Sequence, residues 1–209
     1  MPRGRARPGA SPSSLSETAR SRARFDSAKG RGYRRGTMLT RRASSTTAWR
    51  RHAIRRMLAA RRATLALVAR LPEPEILRPR TQDQWSVKDV LGHLLSCDEE
   101  TLRRFRLIAR GRGDRIVWFE SMAYADRFNA RTVARTRRYG LAALLRRMAR
   151  AHTELVERLR RLPAGTLRDP SHKYTVVDWL PVPGWTHERD HMGEVRRWWR
   201  ARRAELRGR

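Results

Sequence analysis

Apolar residues recur at three- and four-residue steps through most of the chain after residue 47, and this is the period of amphipathic α-helices. The first run extends over 48–71 and stops before Pro72. The run over 141–162 is stopped by Pro163, and the last extends from near Thr186 to about residue 205. Together with the helix described next, these runs predict an all-α four-helix bundle.

The second predicted helix has the clearest start. Ser86 is a helix-capping residue, and Asp89 stands three positions later, so the pair predicts a capping box. Its apolar face continues to Ile108, and Gly111 marks its end. The mixed stretch over 114–140 predicts a shorter helix that leads into the third long one.

Residues 1–46 differ in composition from the rest of the chain. Pro, Gly, Ser and Arg dominate this segment, and almost no apolar periodicity is present. Such a segment buries too little surface to offset the entropy of ordering, so we expect a disordered basic tail over 1–46 and one domain over 47–207. The tail is a nucleic-acid-binding arm or a segment without function. In the second case, translation that starts at Met38 would leave residues 1–37 outside the mature protein.

The net charge of +29 comes almost wholly from arginine, which supplies 46 of the 49 basic residues. Selection for polyanion contact and a coding bias that replaces Lys by Arg both give this composition. The Arg residues are scattered over every predicted helix, which favours the coding bias, although non-specific nucleic-acid binding is expected from charge alone.

No run approaches the roughly 18 apolar residues of a membrane span. The single cysteine, Cys97, fits a reducing compartment, so we expect a cytoplasmic protein without a membrane segment.

Candidate chemistry is concentrated in the last helix, in the segment HERDHMGEVRRWW. His187 and His191 are four residues apart, so they lie on one helix face together with Val195 and Trp198. Neutral imidazoles are common metal ligands, and a metal ion explains why two of them share an apolar face. The alternative is a pair of core histidines. Glu194 lies near the same stripe and is a candidate base or ligand-orienting residue, or a polar residue of the bundle rim.

A third ligand is needed, and the spacing of the remaining histidines leaves two candidates. His52 and His172 fall at a helix start and in a loop, where surface roles suffice. His93 and His152 both lie beside apolar stripes of predicted helices, and the pattern does not choose between them. The segment HERDH also matches the H-E-x-x-H pattern of zinc proteases, with Glu188 as base. The charged Arg189 and Asp190 inside it make that interpretation unattractive.

The stretch WSVKDVLGHLLSCDEE resembles the second-helix signature of the DinB-like superfamily. The matching residues are Trp85, Ser86, Asp89, Val90 and His93. The family's H-x-x-x-H on the last helix is matched by His187 and His191. The segments ADRFNAR and DWLPVPGWTHERDH are also similar to family sequences, and the resemblance covers roughly residues 48–206.

The resemblance implies a DinB-like four-helix bundle in which His93, His187 and His191 bind one divalent metal. Zinc or nickel are the first expectations, and iron or manganese also suit such ligands. Three imidazoles with an open position are typical of a catalytic site that activates water or a thiol. Family members include thiol-linked transferases and isomerase-like proteins, so a low-molecular-weight thiol, a small-molecule substrate and a homodimer are implied. A bundle with a vestigial site is the remaining alternative.

Overall fold

The computed structural model describes residues 41–80, 85–170 and 173–208. The long helices are α1 (Arg41–Val68), α3 (Val87–Ala109), α5 (Leu141–Arg161) and α7 (His187–Arg207), and the shorter ones are α2 (Glu73–Leu77), α4 (Met122–Arg137) and α6 (Val176–Trp179). Within the described residues no strand is present, and the only bridge joins Pro79 to Ser86. The prediction of an all-α four-helix bundle is confirmed.

Helix α1 includes residues from Arg41 onward, inside the segment predicted as a tail. The first residues of this helix are Arg, Ala, Ser and Thr, so no apolar period marks them, although the backbone is helical. The remainder of the predicted tail, residues 1–40, lies outside the described residues.

Helix α3 is the central element of the bundle, and it packs mainly against α5 and α4, while α1 packs against α7 and α5. Helix α4 approaches α3 closely at Gly92, where an added Cβ would lie 2.2 Å from Thr136 Oγ1. Only glycine fits such an approach without displacing one of the two helices. The end of α3 is a Schellman motif, in which Gly111 has φ +65° and the Arg112 and Gly111 N–H groups donate to Leu107 and Ile108.

The apolar core has two neighbouring parts. The first part surrounds Phe105 and includes Trp179 and Trp185 from the segment between α5 and α7. The second is built from α3, α5 and α7 and contains Val90, Leu94 and Met192. The segment between α5 and α7 therefore packs into the core through Trp179 and Trp185. None of the helices in the described part of the chain combines the length and apolar character of a bilayer span.

Candidate metal centre

The start of α3 is fixed by a capping box about two turns before His93. Ser86 Oγ accepts a hydrogen bond from the Asp89 N–H, and Asp89 Oδ2 accepts one from the Ser86 N–H, both at 3.0 Å. The predicted capping box is thus confirmed. Arg137 of α4 donates to Asp89 through Nε and Nη2, at 2.8 and 3.1 Å. Burial would raise the pKa of Asp89, but the hydrogen bonds from Arg137 and Ser86 outweigh it and hold this pKa below its ordinary value.

The other half of the site is at the start of α7. A π-helical turn, Val182–Thr186, leads directly into the helix, and π turns are frequent at functional sites. His187 is the first residue of α7, and His191 follows one turn later on the same face. Thr186 Oγ1 donates to the Pro181 carbonyl at 2.8 Å, which ties the π turn to the residue before it.

The three histidines meet between α3 and α7. His187 Nε2 lies 2.7 Å from His93 Nε2 and 3.1 Å from His191 Nε2. One ligand atom from each ring lies within 4.8 Å of those of the other two. The structure therefore brings together His93, His187 and His191 as a cluster that could hold a metal ion. His152, the other candidate, is buried elsewhere in the bundle with Nδ1 3.8 Å from Asp98 Oδ2. His52 is exposed beside Trp185, and His172 lies outside the described residues.

The donor set fits a metal ion. A neutral imidazole has one N–H and one lone pair, so His187 Nε2 can form one good hydrogen bond, yet it faces two neighbouring nitrogens. A cation that accepts the lone pairs of all three rings resolves this conflict. Three nitrogens bound tetrahedrally at 2.0–2.1 Å would lie about 3.4 Å apart. The observed separations of 2.7 and 3.1 Å are shorter than that value by less than 1 Å, a difference that ring rotations can supply.

Burial keeps the rings of His93 and His187 neutral. It lowers the pKa of His93 well below its usual value, and the neighbouring rings of His187 and His191 add to the effect. For His187, burial together with the nearby His191 lowers the pKa to about 3. Both rings are therefore uncharged at neutral pH, the state in which imidazole binds metals.

Trp85 and Cys97 border the cluster. The Trp85 ring lies 5.2 Å from the ring of His93 and 6.4 Å from that of His191, so it covers one side of the site. Cys97 Sγ lies 3.7 Å from His93 Nε2. Burial, with a contribution from the Asp98 carboxylate, raises the pKa of Cys97 to about 12, so in the metal-free protein it is a thiol rather than a thiolate.

Glu194 lies on the outer side of His191. Its Oε2 is 3.8 Å from His191 Nδ1, on the ring edge opposite the nitrogen that faces the cluster. Contact with His191 is the main cause of a lowered Glu194 pKa, and burial opposes it. The carboxylate therefore lies beside the outer edge of the His191 ring and not at the centre of the cluster. His93 Nδ1, in contrast, is buried and has no hydrogen-bond partner among the described residues.

A buried ion network lies next to the histidines. Arg61 of α1 donates through Nε to Glu188 Oε1 and through Nη2 to Asp98 Oδ2, both at 2.9 Å. Thr64 Oγ1 donates to Glu188 Oε1 at 2.7 Å, and Arg61 Nη1 reaches the Met148 carbonyl of α5. The network therefore joins all four long helices. Burial would lower the pKa of Arg61, but the two carboxylates outweigh this and hold it above its ordinary value.

The network also explains the H-E-x-x-H match. Glu188 is 2% exposed, and its carboxylate binds Arg61 and Thr64 instead of facing the histidine cluster. A protease base must reach a water on the metal, so this arrangement opposes the protease interpretation. Sequence reasoning did not identify the network. Arg61 nevertheless lies on the stripe of Met57, Thr64 and Val68, where a charged residue inside an apolar face signals a buried partner.

Comparison with known proteins bears directly on this arrangement. A family model of the DinB superfamily matches residues 56–207. The chain belongs to the DinB superfamily. The match covers α2 to α7 and residues 56–68 of α1, and it includes every residue of the histidine cluster. No curated protein and no solved structure was found to match the chain. The DinB resemblance of the sequence is therefore confirmed at the level of the family.

Proposed function

We propose that the protein is a divalent-metal-dependent enzyme of the DinB superfamily. His93, His187 and His191 hold the metal, and a thiol or water nucleophile is activated toward a small-molecule substrate. The observation that carries the proposal is the convergence of three imidazoles from two helices, with separations of 2.7 and 3.1 Å at His187 Nε2. Of the four divalent metals considered, zinc and nickel are the first expectations for imidazole ligands, and iron or manganese is also compatible.

The chemistry follows from an open coordination position. When bound, the metal lowers the pKa of a water or of a low-molecular-weight thiol and thereby provides the nucleophile at neutral pH. The chain supplies imidazole ligands and no carboxylate or thiolate, so the ion would keep its full positive charge. Trp85 limits the access of water on one side, and Glu194 orients the His191 ring through Nδ1. The class of reaction, whether thiol transfer, isomerisation or hydrolysis, depends on the substrate.

Elemental analysis of the full chain, purified without an affinity tag, tests the proposal. We expect about one equivalent of a divalent metal per chain in the wild type. His187→Ala should lose the metal. The matched control His52→Ala should retain it, because His52 is exposed, packs beside the Trp185 ring and is not part of the histidine cluster. A folded wild-type protein that contains no metal and takes up neither zinc, nickel nor cobalt in titration would overturn the proposal. It would favour a vestigial site instead.

A further inference from the structure

Arg104 is a buried charged residue on the same face of α3 as His93. The two are eleven residues apart, close to three full turns, and Cys97 and Glu100 lie between them on that face. Arg104 is 5% exposed, and its Nε donates to Glu100 Oε1 at 3.0 Å, so the side chain extends toward the start of the helix. The guanidinium is thus roughly 10 Å along the helix axis from the level of His93.

The charge of Arg104 is only partly compensated. Glu100 also accepts two hydrogen bonds from Arg103, at 2.7 and 2.9 Å, so one carboxylate serves two guanidinium groups. Arg103 is partly exposed and solvated, whereas Arg104 is buried. Burial is the main cause of the lowered pKa of Arg104, and Glu100 only partly offsets it. One positive charge in excess therefore remains beside the interior of the bundle.

Aromatic rings hold the guanidinium in place and leave two donors unused. The Arg104 Cζ lies 4.7 Å from the Trp118 ring, 5.1 Å from the Phe119 ring and 5.4 Å from the Trp179 ring. Arg104 Nη2 and Trp179 Nε1 are both buried and have no hydrogen-bond partner within the described residues. Trp179 is 7% exposed. Buried N–H groups normally have an acceptor. Two donors without one, next to an uncompensated positive charge, therefore indicate a binding site for the two oxygen atoms of an anion.

We propose that Arg104 and Trp179 form an anion subsite that binds the carboxylate of the small-molecule substrate, whose reactive group then extends along α3 toward the histidine cluster. A carboxylate matches the site because it carries one negative charge for the one excess positive charge, and two oxygens for the two donors. A phosphate dianion would leave a buried negative charge in excess. The assignment of this carboxylate to a substrate rests on the proposed metal-dependent function, whereas the binding of a carboxylate by Arg104 and Trp179 does not.

Sodium acetate is the probe, and the indole N–H resonance of Trp179 in the full chain labelled with ¹⁵N-tryptophan is the readout. The resonance is assigned with Trp179→Phe, and sodium chloride at equal ionic strength is the reference. We expect a saturable acetate-dependent shift of this resonance in both the zinc-treated and the chelator-treated protein. Arg104→Gln should weaken acetate binding about tenfold or more. The matched control Arg106→Gln removes an exposed arginine of the same helix that pairs with Glu154 rather than with Glu100, and it should leave acetate binding unchanged.

The outcomes separate the subsite from the metal site. Should Arg104→Gln fail to fold by circular dichroism, Arg104→Lys replaces it, and several-fold weaker acetate binding is then expected because the two-nitrogen geometry is lost. An unchanged Trp179 resonance in the wild type overturns the subsite, as does a shift that needs zinc and survives Arg104→Gln, since acetate then binds the metal. Tighter binding of inorganic phosphate than of acetate overturns the carboxylate assignment. Failure of metal binding with an intact acetate response would instead refute the metal-dependent function alone.

Discussion

Removal of Arg61 should strongly destabilise the fold. Arg61→Met keeps most of the side-chain volume but leaves Glu188 and Asp98, at 2% and 3% exposure, without their cation. Breaking a buried ion pair by removing one partner costs about 3–5 kcal/mol. Total stabilities of domains are about 5–15 kcal/mol, so the variant should lose a large fraction of its free energy of unfolding. Arg61 also donates to the Met148 carbonyl, and this hydrogen bond is lost in the variant.

Urea unfolding at pH 7, followed by circular dichroism, measures the effect. Arg135→Met is the matched control, because Arg135 pairs with Glu99 where both side chains are more than one-third exposed. An exposed pair of this kind contributes about 0.2–1 kcal/mol. If Arg61→Met costs no more than Arg135→Met, the buried network does not stabilise the bundle and the reasoning is refuted.

Three further predictions concern the helix contacts and the charge. Gly92→Ala places a methyl group against Thr136, so it should reduce the free energy of unfolding by about 1–3 kcal/mol, and Gly92→Ala/Thr136→Ala should recover part of this loss in urea titrations. Asp89→Asn should destabilise the protein by about 1 kcal/mol at pH 6. The pKa of Asp89 is lower in the folded than in the unfolded state, so the stabilisation from its carboxylate is complete above the unfolded pKa and is lost as the pH falls through the folded pKa. The free energies of unfolding of wild type and variant should therefore begin to converge only as the pH falls below about 4. Duplex DNA should bind to the +29 chain at low salt, with an affinity that falls steeply and without sequence preference as salt rises; sequence-specific binding at physiological salt would favour the nucleic-acid alternative.

The fold could be predicted because its elements carry local signals. The capping box at Ser86 and the proline after α5 are marked by residue types whose effect does not depend on the rest of the chain. The helical backbone of α1 over residues 41–46 could not be predicted in this way, since these residues carry no apolar period. Helix propensity over so few residues is too weak to fix a boundary.

The histidine cluster was only half predictable from the pattern of residues. The spacing of His187 and His191 places them on one face, but which of His93 and His152 faces them depends on how the helices pack. The family resemblance supplied this information, and the geometry agrees with it. Arg104 and Arg61 were hidden among many arginines, because only burial distinguishes them from solvated ones. A composition rich in one residue type weakens every inference that rests on that type.

The ion network and the histidine cluster are coupled through adjacent residues of α7. His187 faces the cluster while Glu188 binds Arg61, so the Glu188 contact fixes the rotation of α7 about its axis. An imidazole nitrogen lies about 6 Å from the axis of its helix, so a rotation of about 20° moves it by roughly 2 Å. This displacement equals a metal–nitrogen bond length. Arg61→Met should therefore weaken zinc binding about 10- to 100-fold in chelator competition without urea, as the loss of an outer-shell partner does. Arg135→Met should leave it unchanged, and equal zinc affinity in the two folded variants would show that α7 keeps its rotation without the Arg61 contact.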